Sequence, residues 1–557
     1  MFLGLDLSTQ QLKGVTINEK LDIVQEVVVD FDKDFPSYNT TKGVYKHGHE
    51  VVAPVAMWLD AIDLLCARLA KIMDVSEIQG ICGAGQQHAG VFWLEGAERA
   101  LGSLETNSTL KSQLEKYLYS SSPNWQDATT SRECREMEAV VGGPDKLADL
   151  TGSKAHLRFT GPQIKRFRRL HPDIYEKTER IGLASSFLMS VFLQREAPLE
   201  ISDVCGMNLW DIQNEQFDSR LLDDVAGPFQ GSDLAIKLGS VEMNGAKQLG
   251  RIGSYFSEKY GFSSHCQIIP ITGDNPATLL SLPLRPGKDV LLSLGTSTTA
   301  LMATSNYVCS PEYHMFGHPI VTNHFMVMLC YKNGSLARET VRDSINEKYQ
   351  VQDKSSWELF NEFTLKERMD SRSFPDQKIG LYYPLREIIP AVGPGAWRFN
   401  IRNDKLEPVT ESSESWTSPD DDARAIVESQ FLDIRNRITP LLTDVSRPQR
   451  VYVVGGASRN EAIVQMISEI LGCDVYRLKQ GASNACAIGG AVKAAYAMNQ
   501  QNLSFDEFVQ QSWDENKKIE LIRSMPEKSI YDIYGRLLPY LAEAQEIAVH
   551  QSEQDDK

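Results

Sequence analysis

The feature that most constrains this chain is a pattern that occurs twice, about half a chain apart. Phe2 to Leu7 is an apolar run, polar Ser8-Thr9-Gln10-Gln11 follows, and Leu12 to Ile17 is apolar again. Asp289 to Leu294 runs in the same way into Gly295-Thr296-Ser297-Thr298-Thr299 and then Ala300 to Ala303. Strand, small hydroxyl-rich turn and strand, repeated, predict two structurally similar halves that each open on a β-hairpin. Either turn read alone is also compatible with a plain hairpin. The Pro/Gly connection Leu284-Arg285-Pro286-Gly287-Lys288 suggests the boundary, giving domains 1–287 and 288–557.

Two halves need two cores, and 557 residues at 42% hydrophobic and 24% charged can build them. Leu21 to Phe31 reads as a third strand, Val51 to Met73 as an amphipathic helix and Ile78 to Ala84 as a strand. Helices and short strands alternate from there, so the fold class is α/β. Asn403 to Asp422 reads as a surface loop before a helix, Ala423 to Leu442. Met525 onward reads as terminal helix, and Gln551 to Lys557 as a charged tail.

The 57 basic and 74 acidic residues give a net charge of -17. That surface repels phosphate backbones, which argues against nucleic-acid binding, while a small anion held by backbone amides and one metal ion remains compatible. Nine cysteines lie far apart without a C-x-x-C pair, so reduced thiols are expected and no zinc motif arises. The opening residues carry no basic leader and no stretch of eighteen apolar residues occurs. The expectation is a cytoplasmic protein that does not meet a membrane.

Neither G-x-x-x-x-G-K-[ST] nor G-x-G-x-x-G is present, so a nucleotide site must be built another way. Turns of Gly, Ser and Thr after buried strands can do this, because their amides and hydroxyls converge on phosphate oxygens. Asp6 ends the first apolar strand, where a carboxylate is costly unless it is hydrogen-bonded or faces a cation such as Mg²⁺. Val451 to Val454 runs into Gly455-Gly456-Ala457-Ser458-Arg459-Asn460 and the helical Ala462 to Leu471. A glycine pair there lets a flat ligand approach the backbone, or simply makes a tight strand-to-helix turn.

Ile269 to Ala277 delivers Asp274 and Asn275 just ahead of Pro276, a residue suited to a helix start. Asp274 is therefore either a helix cap or a general base. Gln86-Gln87-His88 follow Gly83-Ala84-Gly85 at a strand end, where they suit hydroxyls or where His88 is simply structural. Trp125 suits an apolar sugar face, and Asp127 and Arg158 suit hydroxyls.

This set resembles the FGGY carbohydrate kinases, the sugar-kinase branch of the actin-like ATPase superfamily. Leu5 to Lys13, Gly85 to His88, Gly152-Ser153-Lys154-Ala155-His156, Arg158-Phe159-Thr160-Gly161, Gly206-Met207-Asn208-Leu209 and Cys330 to Arg338 are similar to its xylulose-phosphorylating branch. Ala89 and Lys154 depart from it, standing where that branch usually has Gly and often Arg. The resemblance implies an α/β fold of two actin-like ATPase (ribonuclease H-like) domains, sugar-binding then nucleotide-binding, with a catalytic cleft between them. It implies ATP-dependent phosphorylation of D-xylulose to D-xylulose 5-phosphate, with Mg²⁺, by a monomer or homodimer without nucleic-acid or membrane partners.

Residue by residue, the resemblance makes Asp274 the base and Asp6 the Mg²⁺ residue. His88, Arg158, Asp274 and Asn275 match sugar-binding positions, and Gln87, Trp125 and Asp127 would line the same pocket. Ser8, Thr9, Gln10, Gly295 and Thr296 would face the phosphates, while Trp357, Gly455, Gly456 and Asn460 would hold the adenine nucleotide. The alternatives are a kinase of another ketose or polyol, such as ribulose or glycerol, or a silent sugar-binding regulator. Such a regulator would be expected to lack Asp6 or Asp274, and both are present.

Overall fold

The hairpin forms in the register its alternation dictates: Phe2–Leu7 pairs antiparallel with Gln11–Ile17, setting Leu7 opposite Leu12 and Asp6 opposite Lys13. The computed structural model describes residues 1–366, 377–410, 416–499 and 503–555. They form two compact units. The first is Met1–Pro283 with Cys309–Met326 and Ser483–Asp514; the second is Leu284–Val308, Val327–Ala482 and Glu515–Lys557. The first crossing falls at the Pro/Gly connection, but a single cut at 287/288 assigns two returning segments to the wrong unit. Packing decides this, because the helix Ala485–Met498 lies against Phe2–Leu7 and Gly80–Gly85.

In the first unit, Ile23–Asp30 extends the hairpin, and Gly80–Gly85 joins Phe2–Leu7 in parallel. Thr272–Gly273 in turn pairs in parallel with the end of Gly80–Gly85. Every residue of Phe2–Leu7 is buried, as expected for a strand covered on both faces. Side chains alternate, so Gly14, Leu3 and Leu5 face the helix Val55–Ile72, while Gly4 faces Ala485–Met498. That helix begins four residues later than its apolar spacing suggests. Val51 to Ala53 belong to the strand Glu50–Pro54, which pairs with Tyr45–His47 and Ser121–Pro123. Pro54 holds its predecessor extended and sets the start at Val55.

The second unit repeats the wiring. Asp289–Leu294 pairs antiparallel with Thr298–Thr304 and parallel with Arg450–Val454. Arg450–Val454 pairs in parallel with Asp474–Leu478, and Ile519–Arg523 adds an antiparallel edge. The predicted Asn403–Asp422 loop is only partly a loop. Lys405–Pro408 is a strand against Gly395–Arg402, and Asp422 is buried, accepting from Tyr382, Arg398, Trp416 and Ser418. Glu411 to Ser415 lie outside the described residues. The C-terminal region holds two helices, Lys528–Gly535 and Leu538–Asp555. Most of the predicted tail therefore continues a helix, with 556–557 outside the described residues. The nine cysteines form no disulfide among the described residues, and among the same residues no helix is long and apolar enough to cross a membrane.

The helix Ala485–Met498 approaches its neighbours so closely that a Cβ on Gly489 would stand 1.7 Å from the Ala277 carbonyl oxygen. Backbone cannot yield as a side chain can, so Gly489→Ala is expected to lose about 1–3 kcal/mol of stability. Gly456→Ala, with nothing within 4 Å of the added carbon, is expected to lose little. Urea denaturation of both variants checks the contrast, and equal losses would refute it.

Candidate active site

Asp274 sits where a strand becomes a helix. Thr272–Gly273 ends in Asp274, the first residue of the helix Asp274–Leu279. Gly273 takes the capping position, so the cap reading of Asp274 is set aside. Asp274 Oδ1 accepts from the Asn275 backbone N–H at 2.7 Å and from Asn275 Nδ2 at 2.9 Å. Asn275 Nδ2 also donates to Gln87 Oε1 at 2.8 Å, tying the Gln-Gln-His strand end to the helix start. Burial pushes the Asp274 carboxyl up to about 6, against the lowering pull of its hydrogen bonds and of Arg158.

Asp6 is buried at the end of the sheet's central strand, and its Oδ1 has no hydrogen-bond partner. Burial raises it to about 7, with Lys13 opposing and the negative charge of Asp274 adding to the rise. Lys13 was not singled out in the sequence, although hairpin register places it directly across from Asp6. Its ammonium donates to the Ser483 carbonyl at 2.7 Å. An orphaned, buried carboxylate oxygen beside a second raised carboxyl fits a hard divalent cation.

The turn after Asp6 is built into the same region. Ser8 is folded back onto the Gln11 carbonyl, and Gln10 is exposed. Thr9 Oγ1 accepts from Trp125 Nε1 at 3.0 Å and from Asn124 Nδ2 at 3.3 Å. Asn124 Nδ2 also donates to Gln86 Oε1 at 2.7 Å. Trp125 is half exposed, with its indole N–H already engaged. Asp127 is occupied within the protein: Oδ2 accepts from the Val51 N–H, and Oδ1 from Thr129 and Gln163. It holds the loop that carries Trp125, which differs from the direct hydroxyl contact expected of it.

His88 is buried with φ 69, and its ring stacks on Phe159 at 4.3 Å. Its Nδ1 lies 3.0 Å from the Gly206 carbonyl, which only accepts, so the neutral ring carries its proton there and offers Nε2 as an acceptor. Burial, then the charge of Arg158, lowers it to about 3, so it stays neutral. Gln86 Nε2 and Gln87 Nε2 are buried donors without partners. Asp203, also missed in the sequence, is raised by burial to about 8. Its Oδ2 accepts from Ser185 Oγ at 2.5 Å and its Oδ1 has no partner.

In the second unit, Gly295, Thr296, Trp357, Gly456 and Asn460 line one groove of about 810 Å³, within the range of small-molecule sites. The Trp357 ring packs under Arg342 at 4.7 Å and against Phe360. Asn460 Oδ1 caps the helix Glu461–Leu471 at the Ile463 N–H, while its Nδ2 donates to Asn361 Oδ1, a further lining residue. The two glycines differ. Gly456 faces open space, whereas a Cβ on Gly455 (φ 90) would meet the Leu294 carbonyl oxygen at 2.7 Å. Gly455 thus serves the close crossing of the turn over Asp289–Leu294.

The raised Asp274 has a stability consequence. Its folded value of about 6 exceeds the ordinary 3.8, so the unfolded chain ionises first. Stability from this group falls as pH rises from about 4 to about 6, then levels. Asp274→Asn is therefore expected to stabilise the unliganded protein at pH 7 by up to about 3 kcal/mol and near pH 4 by little. Thermal melts at both pH values check this; equal gains would place the effect elsewhere.

Residues 1–281 match the FGGY family of carbohydrate kinases, N-terminal domain, and residues 290–498 match its C-terminal domain. A relative from Schizosaccharomyces pombe named xylulose kinase is 68% identical over 99% of this chain and 100% of its own. A probable D-xylulose kinase A of Aspergillus clavatus is 49% identical over 96% and 95%. Among solved structures, a ligand-bound xylulose kinase from Lactobacillus acidophilus shares the fold at TM-score 0.76 and 14% identity, over 99% of both chains. A xylulose kinase from Rhodospirillum rubrum does so at 0.75 and 16%, over 97% of both. With both family domains matched in order along its length, the chain belongs to the FGGY family of carbohydrate kinases.

Proposed function

We propose that this kinase transfers the γ-phosphate of ATP to the terminal hydroxyl of D-xylulose, giving D-xylulose 5-phosphate and ADP. The observation that carries the reading is the set of unpartnered buried polar atoms near Asp274: Asp6 Oδ1, Gln86 Nε2, Gln87 Nε2 and Asp203 Oδ1. Donors and acceptors buried without partners are costly, and a polyhydroxylated ligand with its phosphate donor supplies what they lack. The names of the close relatives support xylulose as the sugar.

In this reading the Asp274 carboxylate takes the proton of the attacking hydroxyl. A base near 6 is well matched to work at neutral pH. Asn275 and the Gln87 backbone hold that carboxylate in place. His88 Nε2 accepts from one sugar hydroxyl, Arg158 donates to another, and Trp125 covers the ring or chain from the open side. Asp6 would hold Mg²⁺, which when bound offsets the charge of the phosphates. In the first unit Thr9 and Gln10, and in the second the Gly295–Thr296 turn, would offer amides and hydroxyls to phosphate oxygens, while Trp357, Gly456 and Asn460 receive the nucleoside. The protein's contribution is positioning and electrostatics.

Asp274→Ala is expected to lower kcat by about 10²–10⁴-fold with the ATP constant little changed. For the unaltered enzyme, kcat/KM should fall as pH drops through about 6, where Asp274 protonates, instead of near 4. An ADP-release assay with xylulose, ribulose and glycerol tests the substrate. Preference for ribulose or glycerol would replace xylulose as the sugar, and normal turnover by Asp274→Ala would remove it as the base.

A further inference from the structure

Arg158, the cation assigned to the sugar pocket, is met by a residue far along the chain. Its Nη2 lies 3.0 Å from Nε2 of His314, in the strand His314–Gly317 of the returning segment Cys309–Met326. A guanidinium only donates, so His314 Nε2 is the acceptor and its ring proton sits on Nδ1. Nδ1 in turn lies 3.1 Å from Ser153 Oγ, which can accept it. Burial, then the positive charge of Arg158, keeps the ring neutral.

The surroundings fix this ring. Phe159 and Phe316 stand 5.3 and 6.1 Å from it. The Met315 N–H donates to the Gly152 carbonyl at 2.8 Å. A Cβ on Gly152 would stand 1.9 Å from the Met315 carbonyl oxygen, so the turn bearing Ser153 is locked to the strand bearing His314. Asn208 Nδ2 donates to the Ser153 carbonyl at 3.0 Å and to Thr151 Oγ1 at 3.0 Å, holding the same turn.

We propose that His314 is a positioning residue for sugar recognition: as a neutral, Nδ1-protonated imidazole held by Ser153, it accepts from Arg158 Nη2 and aims the guanidinium at the ketose. The inference rests on the reading of Arg158 as a sugar ligand. Without the acceptor, Arg158 keeps its charge but loses the hydrogen bond that aims its Nη2, so sugar binding weakens while the nucleotide groove is untouched.

The test uses the full-length enzyme and steady-state constants for xylulose and ATP. His314→Phe keeps the ring and its aromatic contacts but removes the acceptor. It is expected to raise the xylulose KM about tenfold or more, with the ATP KM unchanged. His314→Gln, which returns an acceptor near the Nε2 position, should fall between that variant and the unaltered enzyme. In an Arg158→Met background, His314→Phe should have no further effect, the non-additivity expected of two residues acting as one. Ser153→Ala leaves His314 in place but removes the hold on its Nδ1 proton, and should raise the xylulose KM about threefold. This variant carries the test should His314→Phe fail to fold.

Equal fold-changes of His314→Phe in both backgrounds, or matching rises in both KM values, would overturn the inference. So would an unchanged xylulose KM in His314→Phe or, where that variant does not fold, in Ser153→Ala. An impaired Arg158→Met beside a normal His314→Phe sinks the inference alone. A normal Arg158→Met sinks the sugar-ligand reading of Arg158 together with it.

Discussion

The first unit depends on one close contact: the helix Ala485–Met498 laid without intervening side chains across Phe2–Leu7 and Gly80–Gly85. A Cβ on Gly4 would stand 1.8 Å from the Ala487 carbonyl oxygen, and one on Gly490 would stand 2.4 Å from the Gly83 Cα. Gly489 makes the same approach to Ala277, in the helix that starts at Asp274. Asp6 ends the first strand, Gln86 to His88 follow the second, and Asp274 heads the helix. One backbone-to-backbone packing therefore sets the relative positions of the groups assigned to metal, sugar and proton. Lys493 on the same helix adds a second link, a fully buried ion pair with Glu200 at 3.0 Å. Glu200 Oε2 accepts from Thr272 Oγ1, two residues before Asp274, and from the Ser202 and Asp203 N–H groups. Such a pair is costly to break from one side, because the remaining charge stays buried.

Electrostatically the same region is held in tension. Asp6, Asp203 and Asp274 are all raised, each first by burial, and each of Asp6 and Asp203 is raised further by Asp274. The histidines go the other way, His88 and His314 being kept neutral by burial and by Arg158. The result is a site that combines the Arg158 cation, neutral imidazoles offering defined lone pairs, and carboxyls raised toward neutrality. Hydroxyl groups suit the imidazoles and a divalent cation suits the carboxyls. This balance follows from burial, so it depends on the packing of the helix Ala485–Met498 as much as on the ionisable residues themselves.

Much of this was legible in the sequence where local pattern governs. The twin hairpins, the strand-to-helix turns at Asp274 and Gly455, and the Gln86-Gln87-His88 strand end all follow from apolar runs and turn residues. Lys13 was readable too, by counting hairpin register from Asp6, but a lone Lys within an apolar strand gives little signal without its partner. Glu200, Asp203 and His314 were not readable, since each acquires its role from segments distant in the chain. The returns of Cys309–Met326 and Ser483–Asp514 to the first unit were hidden for the same reason. Asp127 shows the opposite case, a polar residue of apparently chemical type whose carboxylate is occupied in holding its own loop.

The landmarks that carried the family resemblance gain a physical meaning from these contacts. Gly206 is glycine because a Cβ there would stand 2.8 Å from His88 Nδ1, the atom that donates a hydrogen bond to its carbonyl. Gly152 is glycine because Met315 crosses it, and Asn208 ties the following turn through Thr151 and Ser153. The Gly152–His156 and Gly206–Leu209 motifs thus form the shell that holds the His88 and His314 rings. Sequence motifs of this kind mark the groups that aim a site as strongly as the groups assigned to touch its ligand. On the reading proposed for His314, a substitution such as Ser153→Ala, one hydrogen bond behind the acceptor of Arg158, would act on sugar binding.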